Sequence, residues 1–407
     1  MYPDGKIGII SRLKLGEVSG QTLKQKYRFE EKLMEQKKRK LSKPNDLTRR
    51  KFMRDGAMAA AGLAVGLGAA GSKSVYAGTT KIKTRSYNSE MEYRRLGKTG
   101  LWVSAVCLGG HWKRVDKMVP GVFENKRWLS AKLDMDGFVK NRRDVVTRCI
   151  ENGINYIDAC TWQEVVTYAR ALRGRRDKMY LGFSWYQEEM RKQQFRTTDA
   201  LLGTLDKGMR EAKLDYVDVW RITMLSQSGR HTESEVDEMM GALEKAKKQG
   251  KVRFTGLSSH DRKHIKWMIE TYPDTVQVVC TPYTAKSKVL PTDSVFDAVI
   301  KHDVGIFGIK PFAGNSLFKG DSSPDSPTAA EDDELARMAI RYILGNPALT
   351  APIPGMINTH QVDNMARAVK ERRQLDVAEA EKLEKAMDEA WAKLPAHYQW
   401  LKNWEYV

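Results

Sequence analysis

Short apolar runs alternate with longer amphipathic stretches along most of this chain. Between the runs, apolar residues recur at helical spacing, as at Leu335, Met338, Ala339 and Tyr342. Strands that alternate with helices in this way indicate a parallel sheet built from β/α units. Eight such units predict an α/β fold of the (β/α)8 TIM-barrel type. The runs that we interpret as its strands are Ser104–Leu108, Asn155–Ala159, Met179–Phe183, Val217–Ile222, Val252–Leu257, Val276–Cys280, Gly305–Ile309 and Thr350–Ile353.

Two further elements flank the eight units. The segments Tyr93–Leu96 and Leu101–Val103 are separated by Gly97-Lys98-Thr99-Gly100, which predicts an N-terminal β-hairpin before the first barrel strand. Near the other end of the chain, apolar residues form one helical stripe, which predicts an extra C-terminal helix packed on the barrel. The stripe consists of Leu383, Ala386, Met387, Ala390 and Leu394.

Two long connections point to the position of a functional site. Residues 110–138 follow the first predicted strand, and residues 313–330 follow the seventh. Both would lie at the C-terminal mouth of the barrel, where the active sites of this fold are built. A doubly wound α/β fold is the alternative, but no Gly-x-Gly-x-x-Gly motif follows the first strand.

The charge of the chain is concentrated at its N-terminal end. Residues 1–77 contain 17 of the 69 lysines and arginines but only 7 of the 51 acidic residues, a net charge of +10 out of +18. The other 330 residues keep 52 basic and 44 acidic side chains, a net charge of +8. We therefore expect no nucleic-acid binding by the folded part. No apolar run reaches 18 residues, so no membrane span is expected either.

The N-terminal segment resembles a twin-arginine export signal. Thr48-Arg49-Arg50-Lys51-Phe52-Met53-Arg54 precedes an Ala/Gly-rich run over residues 57–71, and Val75-Tyr76-Ala77 has small residues at positions −3 and −1 of a cleavage site. The resemblance implies the twin-arginine translocase as a partner and a periplasmic or other extracytoplasmic location. It also implies transport of a folded chain, with any cofactor inserted beforehand. A helical N-terminal element of the folded protein is the alternative.

These observations divide the chain into three parts. Residues 1–77 form the signal peptide with its long basic region, residues 78–90 a linker, and residues 91–407 the barrel. The four cysteines, Cys107, Cys149, Cys160 and Cys280, show no CxxC motif. They are interpreted as small buried side chains, with a Cys107–Cys160 disulfide as the alternative.

An ordered set of short motifs resembles the aldo-keto reductase family over about residues 91–370. The family implies NADP-dependent carbonyl reduction by a tetrad of Asp, Tyr, Lys and His, in which the Tyr donates the proton. The motifs are Met91–Gly100, Val103-Ser104, Leu108-Gly109-Gly110, Gly153–Ala159, Leu214–Val219, Gly250–Arg253, Gly256–His260 and Ile353-Pro354-Gly355.

The resemblance fails at three of the four tetrad positions. Asp158 matches the family Asp, but Gln163 stands where the Tyr is expected, Ser184 where the Lys is expected and Thr223 where the His is expected. Serine and threonine supply neither the lysine cation nor the imidazole. We therefore expect negligible reduction of simple aldehydes with NADPH.

The residues that the resemblance assigns to nucleotide binding are partly present. Tyr283 stands at the position that stacks on the nicotinamide, with a core aromatic as the alternative. No lysine or arginine follows Gly355 in the segment that binds the 2′-phosphate, so the cofactor is expected to be NADP or NAD. The candidate cofactor-binding residues are Tyr283, Ser258, Ser259, Lys310, Gly355, Asn358 and Gln361.

Other ionisable residues at strand ends form a second candidate catalytic set. Asp158, His260 and Lys310 each follow or end a predicted strand, and His111 follows the first. In this hypothesis a histidine acts as the acid and Lys310 polarises a carbonyl. The alternatives are structural: His260 as the neighbour of a helix cap, and Lys310 as the partner of Asp158. No histidine or cysteine spacing predicts a metal site.

Three functions remain open at this point. The first is an exported, nicotinamide-nucleotide-dependent oxidoreductase with a non-standard acid–base set, acting on an unknown carbonyl or sugar-like substrate. The second is a non-catalytic barrel that binds a ligand or a partner at its altered mouth. The third is a non-redox enzyme that acts on sugars through Asp158 and a second carboxylate such as Glu164.

The twin-arginine hypothesis makes a direct prediction. The double variant Arg49→Lys, Arg50→Lys should abolish export, because the translocase reads the arginine pair, and the exported wild-type chain should begin at Gly78. Cell fractionation and N-terminal sequencing of the exported protein measure both outcomes. Lys37→Arg, which alters the basic region outside the motif, is the control. Normal export of the double variant would refute the hypothesis.

Overall fold

Eight parallel strands form a barrel in the computed structural model of the chain. It describes residues 82–125, 127–287, 289–290, 292–323 and 325–403, so the predicted signal peptide lies outside the described residues. A two-stranded antiparallel hairpin, β1 and β2, precedes the barrel strands β3 to β10. The strands in chain order are Tyr93–Arg95, Trp102–Ser104, Leu108–Gly109, Tyr156–Ala159, Tyr180–Phe183, Val217–Thr223, Val252–Ser258, Val278–Pro282, Gly305–Ile309 and Ala351–Ile353.

The barrel closes between its first and last strands. The strands β3 to β10 follow one another in sheet order as in sequence. The gap between β3 and β10 is bridged by Gly109 and Gly355, and the Gly109 N–H donates to the Pro354 carbonyl at 2.7 Å. A side chain at Gly109 would collide with that same carbonyl oxygen, so the close approach requires glycine. The predicted (β/α)8 fold and its hairpin are therefore confirmed.

Nine helices of the described ranges surround the barrel. Several begin at a residue whose side chain accepts a hydrogen bond from the first helical turn, as Thr161, Thr232 and Asp376 do. The last helix, α9, is the predicted C-terminal addition. The helices α1 to α9 are Asp136–Glu151, Trp162–Ala171, Thr198–Ala212, Glu233–Lys248, Arg262–Thr271, Val295–Lys301, Ala329–Leu344, Thr359–Lys370 and Val377–Ala392. None of the helices in this part of the chain has both the length and the apolar character for crossing a bilayer.

The hairpin fills the N-terminal end of the barrel. Leu96, Leu101 and Val103 join the inward-facing side chains of the barrel strands in one buried cluster. Leu96 packs so closely on Gly305 that a Cβ at that glycine would lie 2.4 Å from the leucine side chain. The barrel members of the cluster are Cys107, Tyr156, Tyr180, Val219, Val278, Cys280, Phe307, Ala351 and Ile353. The lower barrel is thus a packed core, and open space remains at the opposite end.

A buried carboxylate, that of Asp218, holds the segment before the hairpin at the N-terminal end of the barrel. Asp218 is fully buried and pairs with Arg85, Arg176 and Arg253, at 3.1, 2.7 and 2.7 Å. Arg85 belongs to the predicted linker, residues 78–90, whose described part therefore packs against the barrel. Three cations and the N–H of Leu181 satisfy this carboxylate, which a buried charge requires.

The packing of the hairpin into the N-terminal end of the barrel leads to a stability prediction. Leu96→Ala should lower the free energy of unfolding by about 2–5 kcal/mol, because it removes a fully buried side chain and leaves a cavity. Urea denaturation followed by circular dichroism measures the change. Ile300→Ala, on a side chain that is 65% exposed, is the matched control and should shift stability by less than about 0.5 kcal/mol. Equal effects of the two changes would show that the hairpin does not plug the barrel.

Candidate active site

A cavity of about 1090 Å³ opens at the C-terminal ends of the strands. The two long connections contribute to its wall, with Trp128 from the first and Phe318 from the second. The C-terminal segment 396–403 adds Tyr398 and Trp400. The volume lies at the upper end of the range of about 300–1,000 Å³ that small-molecule and cofactor sites occupy.

Most of the candidate site residues line this cavity. Thr223 does so as well, at the position where the family has its histidine. The cavity does not include Ser259 or Tyr283 among its lining residues within the described ranges. The candidates that line it are Asp158, Ser258, His260, Lys310, Gly355, Asn358 and Gln361.

Asp158 forms a buried ion pair with Arg221. Arg221 Nε donates to Asp158 Oδ1 at 2.5 Å, and Arg221 Nη2 donates to Oδ2, so the contact is bidentate. Both side chains are almost completely buried. The alternative in which Lys310 pairs with Asp158 is therefore wrong, because Arg221 on β6 already occupies both carboxylate oxygens. An acid that is held in this way is poorly placed to exchange a proton.

Lys310 instead contacts His260. Lys310 Nζ lies 3.2 Å from His260 Nε2, and the indole ring of Trp400 stacks on the His260 ring at 4.3 Å. Burial, followed by the charge of Arg191, lowers the pKa of the Lys310 ammonium to about 7. Burial and the Lys310 charge lower the pKa of His260 well below its usual value. Near pH 7 a neutral imidazole therefore accepts a hydrogen bond from a lysine that can give up a proton.

The backbone of Lys310 is strained. Its φ of 57° lies in the left-handed region, which favours glycine. Keeping a lysine there costs about 1 kcal/mol or more, and such residues concentrate at functional sites. The strain therefore supports a functional role for the Lys310 side chain in the cavity.

Ser184 and Thr223 belong to a network around a buried glutamate. Ser184 Oγ donates to Glu189 Oε2 at 2.6 Å and lies 2.7 Å from Thr223 Oγ1. The N–H groups of Trp185 and Thr223 also donate to the Glu189 carboxylate. Burial raises the pKa of Glu189, and these hydrogen bonds oppose that rise. The positions at which the resemblance expects a lysine and a histidine are thus occupied by uncharged hydroxyl side chains, which join the Glu189 carboxylate in a network that holds the loop after β5.

Gln163 does not bring a side chain into the cavity. Its Nε2 donates to the carbonyl of Leu129 at 3.0 Å, in the long first connection. Position 163, where the resemblance expects a tyrosine, therefore contributes no lining side chain to the cavity within the described ranges.

The part of the cavity at the start of α8 is polar. Asn358 caps this helix by accepting from Gln361 N at 2.8 Å, and Gln361 Oε1 accepts from Ile357 N. Asp332 and Asp333 line the same region, and His360 lies 2.5 Å from Asp333. This part of the cavity therefore presents amide and carboxylate groups to a ligand.

Ser259 and Tyr283 have structural partners. Ser259 Oγ donates to the carbonyl of Leu225 and bonds to Ser228 Oγ at 2.8 Å. The Tyr283 hydroxyl accepts from Asn346 at 3.2 Å, and its ring packs edge-on against Phe296. Tyr283 is therefore placed as a core aromatic, the alternative that the sequence left open.

Sequence reasoning did not identify Arg221 or Glu189. Arg221 had a detectable signal, because an arginine in the interior of a predicted core strand must find a buried partner. Glu189 had none, since it lies in an irregular loop between Trp185 and Arg191 and its role depends on tertiary packing.

The ion pair of Asp158 with Arg221 generates a stability prediction. Arg221→Met should cost about 3–5 kcal/mol, because it leaves a buried carboxylate without its cation. The double variant Asp158→Leu, Arg221→Met should recover most of that loss. Chemical denaturation of the four proteins in the cycle gives the coupling energy. The exposed pair Lys140 with Asp144 is the control, with an expected coupling of about 0.5 kcal/mol or less. Additive effects of the two changes would contradict the prediction.

Two curated proteins are similar to this chain in sequence. The L-galactose dehydrogenase of Arabidopsis thaliana is 22% identical over 321 residues, which cover 70% of this chain and 91% of that enzyme. An NADP(+) aldo-keto reductase of Schizosaccharomyces pombe, named yakc, is 26% identical over 145 residues, 35% of this chain and 40% of the yeast protein.

Solved structures share the fold. An aldo-keto reductase of Klebsiella pneumoniae in complex with NADPH superimposes with a TM-score of 0.54 at 16% identity, covering 72% of this chain and 94% of that one. The holo form of a Bacillus halodurans aldo-keto reductase gives 0.50 at 20% identity, covering 73% and 96%. The model of the Aldo/keto reductase family matches residues 140–388, more than half of the chain. This protein therefore belongs to the aldo/keto reductase family of oxidoreductases.

Proposed function

We propose that this protein is an exported, nicotinamide-nucleotide-dependent oxidoreductase in which Lys310 takes over proton transfer. The observation that carries the proposal is the contact of Lys310 with His260 in a cavity at the family's active-site end. The residues of the usual tetrad are absent or engaged elsewhere. Lys310 is the side chain of that cavity whose pKa, about 7, is matched to acid–base work at neutral pH.

The shape of the cavity fits a dinucleotide. It extends from Lys310 to Asn358 and Gln361 at the start of α8, and its volume of about 1090 Å³ leaves space for a substrate as well. Amide side chains and the N-terminus of a 12-residue helix supply hydrogen-bond donors for phosphate and ribose oxygens. The donor set of the cavity is therefore compatible with the cofactor.

The charge at the α8 end favours NAD(H) over NADP(H). Residues 354–364 contain no lysine or arginine, and Asp332 and Asp333 line the cavity beside them. A 2′-phosphate placed there would be repelled by these carboxylates, and Arg114, a cation that lines the same cavity, is already bonded to the Gly320 carbonyl and to Ser322. The proteins from Schizosaccharomyces pombe and Klebsiella pneumoniae are named with NADP(+) and NADPH, respectively, so this chain would differ from them.

The proposed proton transfer uses the lysine in its charged form. When bound, the reduced nicotinamide supplies a hydride to a carbonyl carbon. Lys310 Nζ donates the proton that the carbonyl oxygen gains, and the lysine is left as a neutral amine. His260 Nε2, neutral near pH 7, orients the lysine through the 3.2 Å contact. The pair Asp158–Arg221 keeps the floor of the cavity neutral, so the nearby carboxylate does not raise the lysine pKa.

The proposal also includes export of the folded protein by the twin-arginine pathway. The sequence that resembles a twin-arginine signal supports it, since that pathway moves folded proteins and would carry the nucleotide inside the cavity. Outside the cytoplasm the bound nucleotide would have to be recycled in place. The substrate is proposed to be a carbonyl or sugar-like compound.

The pH dependence of turnover tests the role of Lys310. With NADH and a panel of aldehydes, ketones and aldoses, kcat/KM for reduction should fall tenfold per pH unit above about pH 7, because the acid is lost there. Oxidation of the product alcohol should instead rise up to about pH 7, because it needs the neutral amine. Lys310→Met should lower kcat/KM by about 10²- to 10⁴-fold and remove the pH dependence.

Lys113→Met is the matched control for this experiment. Lys113 also lines the cavity, but its ammonium donates to the Tyr398 hydroxyl at 2.6 Å. Its loss should keep the fall of kcat/KM with pH and move it to somewhat higher pH, because the Lys113 charge contributes to lowering the Lys310 pKa. An unchanged profile in the Lys310 variant would refute the proposed acid. Nucleotide binding without turnover across the panel would favour the non-catalytic, ligand-binding alternative.

A further inference from the structure

We propose that His111, Cys160 and Glu164 form a binding site for a divalent transition-metal ion, best suited to Zn²⁺, with an open coordination position toward the cavity. Each residue offers one ligand atom, and the three atoms lie within 4.8 Å of one another. The three residues come from the connection after β3, the end of β4 and the first turn of α2. This site is separate from the Lys310–His260 pair and goes beyond the proposed hydride transfer.

The distances are close to those of a metal site. His111 Nδ1 lies 2.7 Å from Glu164 Oε1 and 3.8 Å from Cys160 Sγ. Ligand atoms in a tetrahedral zinc site, with bonds of about 2.0–2.3 Å, lie about 3.3–3.8 Å apart. The Cys160–His111 separation already has this value, whereas His111 Nδ1 and Glu164 Oε1, now at hydrogen-bonding distance, would have to move apart by about 0.6–1.1 Å to take up an ion.

The arrangement does not suit a cysteine nucleophile. In a nucleophilic Cys–His pair the thiol meets one imidazole nitrogen, and the orienting acid meets the other. Here both Cys160 Sγ and Glu164 Oε1 approach the same atom, His111 Nδ1. Three donors that converge on one point are what an ion requires.

The surrounding structure holds two of the ligands in place. Glu164 is fully buried, and its second oxygen accepts from the Cys160 N–H at 2.7 Å. The His111 ring lies against the Trp128 ring, with a centroid separation of 4.5 Å. Gly110 is required nearby, because a Cβ there would lie 2.3 Å from the Glu164 carboxylate. A carboxylate that is buried in this way needs positive charge, which a metal ion supplies.

The donor set selects the kind of metal. One sulfur, one imidazole nitrogen and one carboxylate oxygen match Zn²⁺, whereas Mg²⁺ and Ca²⁺ take oxygen ligands. Three protein ligands with a free fourth position are typical of zinc sites that bind water or substrate. His111 and Cys160 line the cavity, while Glu164 lies behind them, so the free position faces the cavity. An oxygen-bearing ligand, such as water or a substrate hydroxyl or carbonyl, would complete the coordination.

Cobalt substitution tests the proposal. The full-length protein is treated with a chelator, dialysed and titrated with Co²⁺ without nucleotide or substrate. We expect one equivalent to bind with a thiolate-to-cobalt absorption band in the near ultraviolet and tetrahedral bands in the visible, both abolished by Zn²⁺. Cys160→Ala should remove the thiolate band and weaken binding by about 100-fold or more, since loss of even an outer-shell partner costs about 10- to 100-fold. Glu164→Gln should weaken binding and keep the thiolate band.

Two matched variants serve as controls. Cys149→Ala removes a buried cysteine on α1, and Lys140→Met removes an exposed lysine of the same helix; both should bind Co²⁺ as the wild type does. Cys160→Ser and His111→Ala provide second variants should Cys160→Ala fail to fold, as judged by circular dichroism. Absence of a thiolate band, or a band that survives in both Cys160 variants, overturns the metal site. Neither result bears on hydride transfer, because nucleotide plays no part in the measurement.

Discussion

The ion pair between Asp158 and Arg221 is the buried electrostatic constraint on which the arrangement at the floor of the cavity depends. A carboxylate at the end of β4 is buried, so it must have a cation. In this chain the cation comes from within β6, whereas the family resemblance places it at the end of the preceding barrel strand. No cation is then needed at position 184 to neutralise Asp158, and Ser184 instead donates a hydrogen bond to Glu189. Burial lowers the pKa of the Lys310 ammonium to about 7, and in the described ranges no ion pair with a carboxylate opposes that shift.

The sequence was sufficient for the fold because the signals of the fold are local. The strand from Val217 is predicted to end at Ile222 and ends at Thr223, and Gly305–Ile309 agrees at both ends. Each depends on a run of apolar residues between helical patterns, and such patterns can be read directly from the order of residues in the sequence. The first barrel strand was predicted too long, as Ser104–Leu108, because Ser104 pairs within the hairpin and only Leu108 and Gly109 pair within the barrel.

The site was only partly predictable because its partnerships are not local. The positions of His260 and Lys310 at strand ends were visible, but their contact joins residues 50 positions apart. His111 and Cys160 are 49 positions apart and share no ligand-spacing pattern, so the sequence suggested no metal site. Membership of the family accounts for the barrel, whereas function depends on the side chains at the site. Gln163, Ser184 and Thr223, at the positions where the resemblance expects a tyrosine, a lysine and a histidine, are therefore the positions to test for function.

The hairpin plug has a kinetic consequence. Because Leu96, Leu101 and Val103 fill the N-terminal end, every ligand must enter and leave the cavity through the opposite mouth. Two ligands would then share one entrance. One is a long molecule that contacts both Lys310 and Asn358, and the other is a small molecule bound beside it at the lysine. A small molecule bound at the mouth would therefore block exchange of the long one beneath it, so occupancy of the entrance would set how fast the long ligand leaves.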